Sequence, residues 1–323
     1  MQDSFVLKDG TVIPKKKGKV GWVGLTFAVF PLIGFVLFSL VPICVSIFLS
    51  FTDVSTFQEI ESATFVGLRN FFEVLRDGKF WHSVGTAFYA TLGQFVSLSI
   101  ALAISLLLGT KVKGWNIFSV LYFIPYITSS VAISMIWKRM FATQNGIINE
   151  FIALAGYTGE KIEWMDTSEI YMIIFIFIQA WHAPGYGILM FNAAFSSVDS
   201  SLYEAARIDG AGRLKQFTSI TFPTISPTIH FLAMLGVING LQQFEMFQVF
   251  TGLGGGWTGG FGPDDAGLVP LLYIYNLGVP GGRPGNRMGY ASAMSWVMFC
   301  IVFAASTLLN EKLAKAWVAS EYE

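Results

Sequence analysis

The sequence predicts an all-α membrane protein with six transmembrane helices. Hydrophobic residues make up 54% of the 323 residues and charged residues only 13%, and the mean hydropathy is +0.59. Such a chain is too apolar for an ordinary soluble domain. Six apolar runs are long enough to cross about 30 Å of hydrocarbon, for which a helix needs about 20 residues. They are Trp22–Phe51, Ser83–Gly109, Ile117–Phe141, Ile170–Phe195, Thr224–Phe250 and Met288–Leu309.

The first span follows a basic segment that orients the chain. Lys15, Lys16, Lys17 and Lys19 lie immediately before it, and basic residues are retained on the cytoplasmic side. With six spans both termini share that side, which then holds twelve of the 20 Lys and Arg residues. We therefore expect a membrane domain over residues 22–309 between cytoplasmic tails 1–21 and 310–323. The apolar core of the first span is too long for a signal peptide.

Two loops on the opposite side carry aromatic residues. In residues 52–82, the spacing of Phe65, Phe71 and Phe72 fits a short amphipathic helix along the membrane surface. The loop 142–169 contains Trp164, a residue type suited to the membrane interface.

The fourth span contains a predicted break. Pro184 and two nearby glycines weaken the helix, and a broken helix at mid-membrane is tolerated only where freed backbone groups meet protein or a water-filled cavity. The break suggests a translocation path beside Trp181 and Tyr186. No second ligand lies within helical reach of His182, so we expect a packed histidine rather than a metal ligand or catalytic base.

Between the fourth and fifth spans, the segment Ser201–Pro223 is polar and basic. Ser201 and Glu204 have the spacing of a capping box, which predicts a helix starting near Ser201. The two alanines after Glu204 allow another surface to approach closely, and Gly210 and Gly212 permit a turn into a second short helix. We expect a two-helix loop that binds a partner protein.

This segment resembles the EAA loop of ABC importer permeases. A glycine follows the Glu-Ala-Ala triplet after three residues, and the segment ends in Pro223; Phe222 departs from the leucine usual in the family. In that family the loop docks on the cytoplasmic face into a groove of the ATP-hydrolysing subunit. Within residues 200–223, the resemblance assigns ATPase coupling to Glu204, Ala205, Ala206, Asp209, Gly210, Ala211 and Pro223.

The fifth span is unusually polar toward its end. Its carboxylate, Glu245, would cost about 2.5 to 3.5 kcal/mol at the helix centre on insertion scales, so it should face a cavity or a partner. Amides and a carboxylate suit a polyhydroxylated ligand, and nearby aromatic rings could stack on a sugar. The alternative is hydrogen bonding between helices. The hypothetical substrate path comprises Trp181, Tyr186, Asn239, Gln242, Gln243, Phe244, Glu245 and Phe247.

Weaker resemblances to sugar-type permeases accompany the EAA loop. Residues 67–71 match a Gly-Leu-x-Asn-Phe element, residues 251–255 are similar to a turn after the fifth span, and residues 289–294 resemble the opening of the final helix. The glycines of residues 254–259 satisfy G-x-G-x-x-G but lack the strand and helix of a dinucleotide site. Residues 268–277 are too short to cross and are predicted at the outer surface.

Other residue patterns exclude several functions. Cys44 and Cys300 lie in separate spans, so we expect buried thiols rather than a disulfide or metal site. The chain lacks a Walker A motif, and a net charge of −1 without a basic stripe gives no sign of nucleic-acid binding. We expect the chain itself to bind no cofactor.

The resemblance implies a transport subunit rather than an enzyme. It implies a type I permease bundle of a sugar-type ABC importer in a bacterial or archaeal cytoplasmic membrane, working by alternating access. The implied partners are two ATP-binding subunits that use ATP and Mg, a second permease that is commonly a different chain, and an extracellular or periplasmic solute-binding protein. Two alternatives are an ion-coupled secondary transporter of a polar solute and an intramembrane enzyme using His182, His230 and Glu245.

Overall fold

The computed structural model describes residues 4–6, 12–14, 22–108, 115–252, 261–279 and 286–321. The first half of the chain forms helices α1 Trp22–Phe35, α2 Val41–Ser50, α3 Arg69–Arg76, α4 Gly78–Leu108, α5 Trp115–Ile127, α6 Ser130–Met140 and α7 Ile147–Leu154. The second half forms α8 Ser168–His182, α9 Pro184–Ser196, α10 Ser200–Ile208, α11 Arg213–Gln216, α12 Phe222–Leu241, α13 Glu245–Thr251, α14 Pro270–Gly278 and α15 Met288–Glu321. Near the N-terminus, strands β1 Ser4–Val6 and β2 Val12–Pro14 pair antiparallel, with Phe5 opposite Ile13.

Six spans are present when bent helix pairs are counted as single crossings. Four helical segments are long and apolar enough to cross alone: Phe27–Ser50, Gly78–Leu107, Arg213–Thr251 and Met288–Glu311. The helices within residues 120–140 meet at 96°, and those of residues 168–196 at 41°. The all-α membrane fold is therefore confirmed, and the predicted third span, residues 117–141, is a helix pair bent at a break. Ser129 leaves the helical conformation and separates α5 from α6.

The fifth span is also interrupted. Helix α12 ends at Leu241 and α13 begins only at Glu245, with Phe244 between them at φ −141° and ψ −59°. The predicted fifth span, residues 224–250, falls within an apolar helical segment long enough to cross, Arg213–Thr251, but its helix is interrupted. The polar residues Gln242 and Gln243 lie in this break, and the N–H of Gln242 still donates to the carbonyl of Ile238 at 3.2 Å.

Helix α4 lies at the centre of the bundle and packs against α8, α9 and α12. Small residues bring the helices together: a Cβ on Gly93 would lie 3.1 Å from Cβ of Gln179, and one on Gly240 would lie 2.5 Å from Oγ1 of Thr91. Membrane helices commonly pack through such small residues because lipid provides little hydrophobic drive for their association.

The first span packs on the rest of the chain mainly through its end. Helices α1 and α2 are joined by a π-helical turn, and the buried residues of α2 are Leu49 and Ser50. Cys44 in this span and Cys300 in α15 are exposed, so the prediction of buried thiols is wrong. Both lie on faces of apolar helices that the described chain leaves uncovered, and lipid is the natural solvent of such faces.

The Gly-Leu-x-Asn-Phe element fastens α3 to the end of the first span. Gly67 has φ +58°, and the buried amide of Asn70 donates hydrogen bonds to the carbonyls of Ser50 at 3.0 Å and Thr52 at 2.8 Å. These bonds satisfy carbonyls at the C-terminal end of α2 that have no helical partner. Asn70 therefore holds α3 against the end of the first span.

A carboxylate ties α4 to both helices of the C-terminal region. Asp77 accepts a hydrogen bond from the backbone N–H of Lys79 at the start of α4. Its other oxygen accepts from the hydroxyls of Tyr273 in α14 at 3.0 Å and Tyr290 in α15 at 2.7 Å. Asp77 thus holds the ends of three helices together.

Candidate functional site

The loop between the fourth and fifth spans forms two short helices. Helix α10 is capped by Asp199, whose carboxylate accepts a hydrogen bond from the backbone N–H of Ser201 at 2.9 Å. The prediction that Ser201 caps this helix is therefore wrong, because an aspartate two residues earlier performs that role. The hydrogen bonds from Ser201 hold the pKa of Asp199 below its ordinary value.

Gly210 makes the turn out of α10. It has φ +75°, its N–H donates to the carbonyl of Arg207, and the N–H of Ala211 donates to the carbonyl of Ala206 at 2.8 Å. This is a Schellman motif with glycine in the left-handed position. Gly212, by contrast, has φ −67° at the start of α11 and does not need glycine's freedom.

The loop presents apolar side chains that sequence reasoning missed. Ile208 is 86% exposed and Leu214 is 78% exposed, and Leu202 is also exposed on α10. Large exposed apolar groups within a charged loop are typical of a surface that another protein covers. The sequence does contain a signal for these side chains: isolated large apolar residues that recur within a hydrophilic segment.

The predicted coupling residues come together on this loop. Glu204, Ala205, Asp209 and Gly210 are exposed, and Ala206 and Ala211 are partly buried. Pro223 lies apart, exposed in the first turn of α12, beyond a π-helical turn over Phe217–Thr221.

The loop is attached to the fifth span by side-chain hydrogen bonds. The hydroxyl of Tyr203 lies 2.8 Å from Oγ1 of Thr221, and the amide of Gln216 donates to the carbonyl of Ala211 at 2.8 Å. Thr221 is buried directly before α12. The first of these hydrogen bonds connects the loop to the residue directly before α12.

The break in the fourth span lies where proline predicts it. Tyr186 stacks on Tyr126 with ring centroids 5.6 Å apart, and the exposed Trp181 meets Trp137 edge-on at 5.6 Å. His182 is partly buried, with Nε2 3.5 Å from the carbonyl oxygen of Thr128, in agreement with a packed histidine. Among the described residues, no group of three or more His, Cys, Asp or Glu could hold a metal ion.

Helices α6 and α13 form a parallel pair beside the break in the fifth span. The hydroxyl of Ser130 donates a hydrogen bond to the carboxylate of Glu245, which joins the starts of the two helices. Near their ends, the amine of Lys138 donates to the carbonyl of Val249 at 2.9 Å. These contacts give Glu245 a definite position, and the sequence alone did not indicate them.

The polar residues of the predicted path have different surroundings. Asn239 and Gln242 are exposed, and both polar atoms of the Gln243 side chain are buried without a hydrogen-bond partner in the described part of the chain. Elsewhere in the bundle, Gln94 of α4 donates to Gln179 of α8 at 2.8 Å, a polar contact that sequence reasoning missed.

The two phenylalanines of the predicted substrate path also differ in burial. Phe244 packs on Tyr275 with ring centroids 5.2 Å apart and keeps part of its surface accessible. Phe247 is fully buried and stacks on Phe175 at 4.0 Å. Phe247 thus belongs to the hydrophobic core in this conformation, and its assignment to a substrate path is not supported.

Comparisons with known proteins match most of the chain. Residues 96–310 match the family model described as binding-protein-dependent transport system inner membrane component. The probable ABC transporter permease protein YesP of Bacillus subtilis is 33% identical over 295 residues, covering 90% of this chain and 89% of YesP. The arabinooligosaccharides transport system permease protein AraP of Halalkalibacterium halodurans is 30% identical over 277 residues, covering 85% and 82%.

The fold is also similar to that of a solved structure. A chain from the crystal structure of a bacterial ABC transporter involved in the import of the acidic polysaccharide alginate aligns with a TM-score of 0.73. The alignment covers 91% of this chain and 96% of that one at 19% identity. At this identity the similarity concerns the fold alone.

Proposed function

The chain belongs to the family of binding-protein-dependent transport system inner membrane components, and from that membership we propose that it is the permease through which an ATP-driven importer moves a sugar or oligosaccharide. The family consists of ABC importer permeases rather than enzymes, with ATP hydrolysis on a separate subunit. The observation that carries the proposal is the exposed loop of α10 and α11.

The loop has the features of a docking site for an ATPase subunit. Ile208 and Leu214 offer exposed apolar contacts, while Glu204, Arg207 and Lys215 surround them with charge. Interfaces between separate subunits combine such an apolar centre with a polar rim. Closure of two ATPase subunits on ATP then moves the loop, and the bundle alternates between outward-open and inward-open states.

This assignment implies an orientation and further partners. The loop must face the cytoplasm to meet ATP, which places both termini there as well. A second permease, commonly a different chain, completes the channel, and a solute-binding protein delivers the substrate from outside. The basic run Lys15–Lys19 and Lys111 support this orientation but lie outside the described residues.

The substrate class rests on the relatives and on the polar break of the fifth span. The relatives include permeases named for arabinooligosaccharide transport and for multiple sugars. Gln242, Gln243 and Glu245 provide amide and carboxylate groups that match sugar hydroxyls, and Phe244 offers an aromatic face. The buried amide of Gln243, which has no partner among the described residues, is the strongest local support, because a buried polar group without a partner costs about 1–3 kcal/mol.

Copurification tests the transport assignment. The tagged chain is extracted gently from native membranes, and the proteins that accompany it are identified by mass spectrometry. We expect an ATPase carrying a Walker motif that is lost in the Glu204→Arg variant and retained in Glu150→Arg, a matched change outside the loop. A fully extracted chain without an ATPase, supporting uptake driven by an ion gradient, would indicate a secondary transporter.

A second experiment tests the path. Gln243→Ala and Glu245→Ala should lower uptake of the native solute while leaving assembly with the ATPase intact. Unchanged uptake in a normally assembled double variant would exclude these residues from the path and leave them to helix packing.

A further inference from the structure

Helix α7 carries an exposed apolar stripe. Ile147 is 48% exposed, Phe151 67% and Leu154 84%. At 3.6 residues per turn these positions lie within an arc of about 60° on one side of the helix. Exposure of this extent is unusual for three large apolar groups together on a loop.

The opposite face of α7 is held firmly by the protein. Ile148 packs against the hydrophobic core, and the buried side chain of Asn149 donates to the carbonyl of Ile162 at 2.9 Å. The oxygen of the same side chain accepts from the indole N–H of Trp164 at 3.1 Å. The helix therefore cannot rotate to hide its stripe without breaking these contacts.

The chemistry of the stripe fits lipid rather than another protein. Glu150 is the one charged residue within the helix, and Lys161 neutralises it at 2.9 Å. The exposed Tyr157 follows, and tyrosine is enriched at membrane interfaces. The helix also starts seven residues after α6, whose exposed Met135 and Ile136 continue the apolar surface of the spans.

We propose that α7 is an interfacial anchor whose stripe of Ile147, Phe151 and Leu154 inserts into the boundary between lipid headgroups and acyl chains. The partner is the bilayer itself. The anchor fixes the depth of the loop 142–169, and through it the depth of α6 beside Glu245. The inference is independent of the solute and of the ATPase assignment.

Spin labelling in the complete transporter, reconstituted in lipid nanodiscs, tests the anchor. Cys44 and Cys300 are first replaced by serine, and single cysteines are introduced at the three stripe positions. Collision of each label is measured with oxygen, which concentrates in hydrocarbon, and with a water-soluble nickel complex. Phe38, 82% exposed on the first span, supplies the lipid reference, and the exposed Glu61, outside the spans, supplies the water reference.

We expect the oxygen-to-nickel ratio at the stripe to approach that of Phe38→Cys and to exceed that of Glu61→Cys. The ratio should fall at Ala153→Cys, a matched control exposed on another side of the same helix. Nickel access equal to that of Glu61→Cys would put the stripe in water. Low collision with both reagents would show that a protein partner covers it, and either result overturns the proposal.

Discussion

A left-handed glycine defines the shape of the loop of α10 and α11. Gly210 has φ +75°, and a Cβ in this conformation costs about 1–2 kcal/mol. Gly210→Ala should therefore distort the turn between α10 and α11 and lower both ATPase copurification and binding-protein-stimulated ATP hydrolysis. The matched variant Gly212→Ala, at φ −67° with open space around it, should behave as the parent does.

Equal losses in the two variants would mean that the loop responds to any added methyl group, and the Schellman turn would then have no special role in docking.

A second glycine is required for packing rather than for its backbone conformation. A Cβ on Gly289 would overlap the carbonyl oxygen of Thr52, while the N–H of Gly289 donates to the carbonyl of Val54 at 2.8 Å. Gly289→Ala should separate α15 from the end of the first span and lower the thermal midpoint of the detergent-solubilised protein by several degrees. Gly85→Ala on α4 meets open space and serves as the control; equal melting of the two variants would contradict the steric account.

An exposed ion pair should make stability depend on acidic pH. Arg287 donates to both carboxylate oxygens of Glu73, at 2.5 and 2.7 Å, and these bonds hold the pKa of Glu73 below its ordinary value of 4.5. Because the pKa of Glu73 is lower in the folded state, its ionised carboxylate stabilises the fold at pH values above the unfolded-state pKa. That stabilisation is lost as the pH falls through the folded-state pKa. Both side chains are partly exposed, so the contribution is about 0.2–1 kcal/mol.

Between about pH 5 and about pH 3, the parent should therefore lose slightly more stability than Glu73→Gln, measured by thermal unfolding in detergent. Parallel pH profiles for the two proteins would show that the pair contributes nothing measurable.

Some residue roles could be read from the sequence and others could not. The turn at Gly210 follows from a glycine just after a short helix, a local signal. The cap at Asp199 was missed because both Asp199 and Ser201 suit an N-cap, and only the path of the chain decides between them. The Asp77 contacts with Tyr273 and Tyr290 join residues 196 and 213 positions apart, which no local pattern reveals.

At the scale of elements, the pair of α6 and α13 makes a specific prediction. Lys138 donates to a carbonyl near the end of α13, where such groups lack helical partners. Lys138→Met should release that end and reduce uptake with assembly unchanged, whereas Lys138→Arg should retain part of the activity. Arg139→Met, an exposed neighbour, is the control.

Full uptake in Lys138→Met would show that the carbonyl contact is dispensable and that α6 and α13 are held together by packing alone.

The three helix breaks differ in how far the sequence indicates them. Pro184 marks the break in the fourth span, because proline lacks the N–H that an unbroken helix needs. Pro125 lies in the last turn of α5, four residues before the break at Ser129, whereas the break at Gln242 has no proline near it. The hydrogen bond from Ser130 to Glu245 joins the two regions, and sequence periodicity does not contain it.

For the whole molecule, composition was enough to predict a helical membrane bundle but not which faces lipid covers. Cys44 and Cys300 show the difference: both lie in predicted spans, yet both are exposed on the surface of the chain. The outward and inward sides of a uniformly apolar helix have the same residue types, so hydropathy alone cannot distinguish them.

The lipid assignment of these faces can be tested with the native cysteines. In sealed membrane vesicles, neither Cys44 nor Cys300 should react with a charged maleimide, because a charged reagent does not enter hydrocarbon. Both should react after denaturation in detergent. Rapid labelling of either residue in the intact transporter would instead place it beside a water-filled path.

Helix α12 connects the loop of α10 and α11 to the break in the fifth span. Its 20 residues measure about 30 Å, roughly the thickness of the hydrocarbon layer. The hydrogen bond between Tyr203 and Thr221 attaches one end to that loop, and the other end stops at the break that contains Gln243. In the proposed importer, nucleotide and solute would therefore be handled at opposite ends of one helix, about a membrane's thickness apart, and neither ligand would need to approach the other.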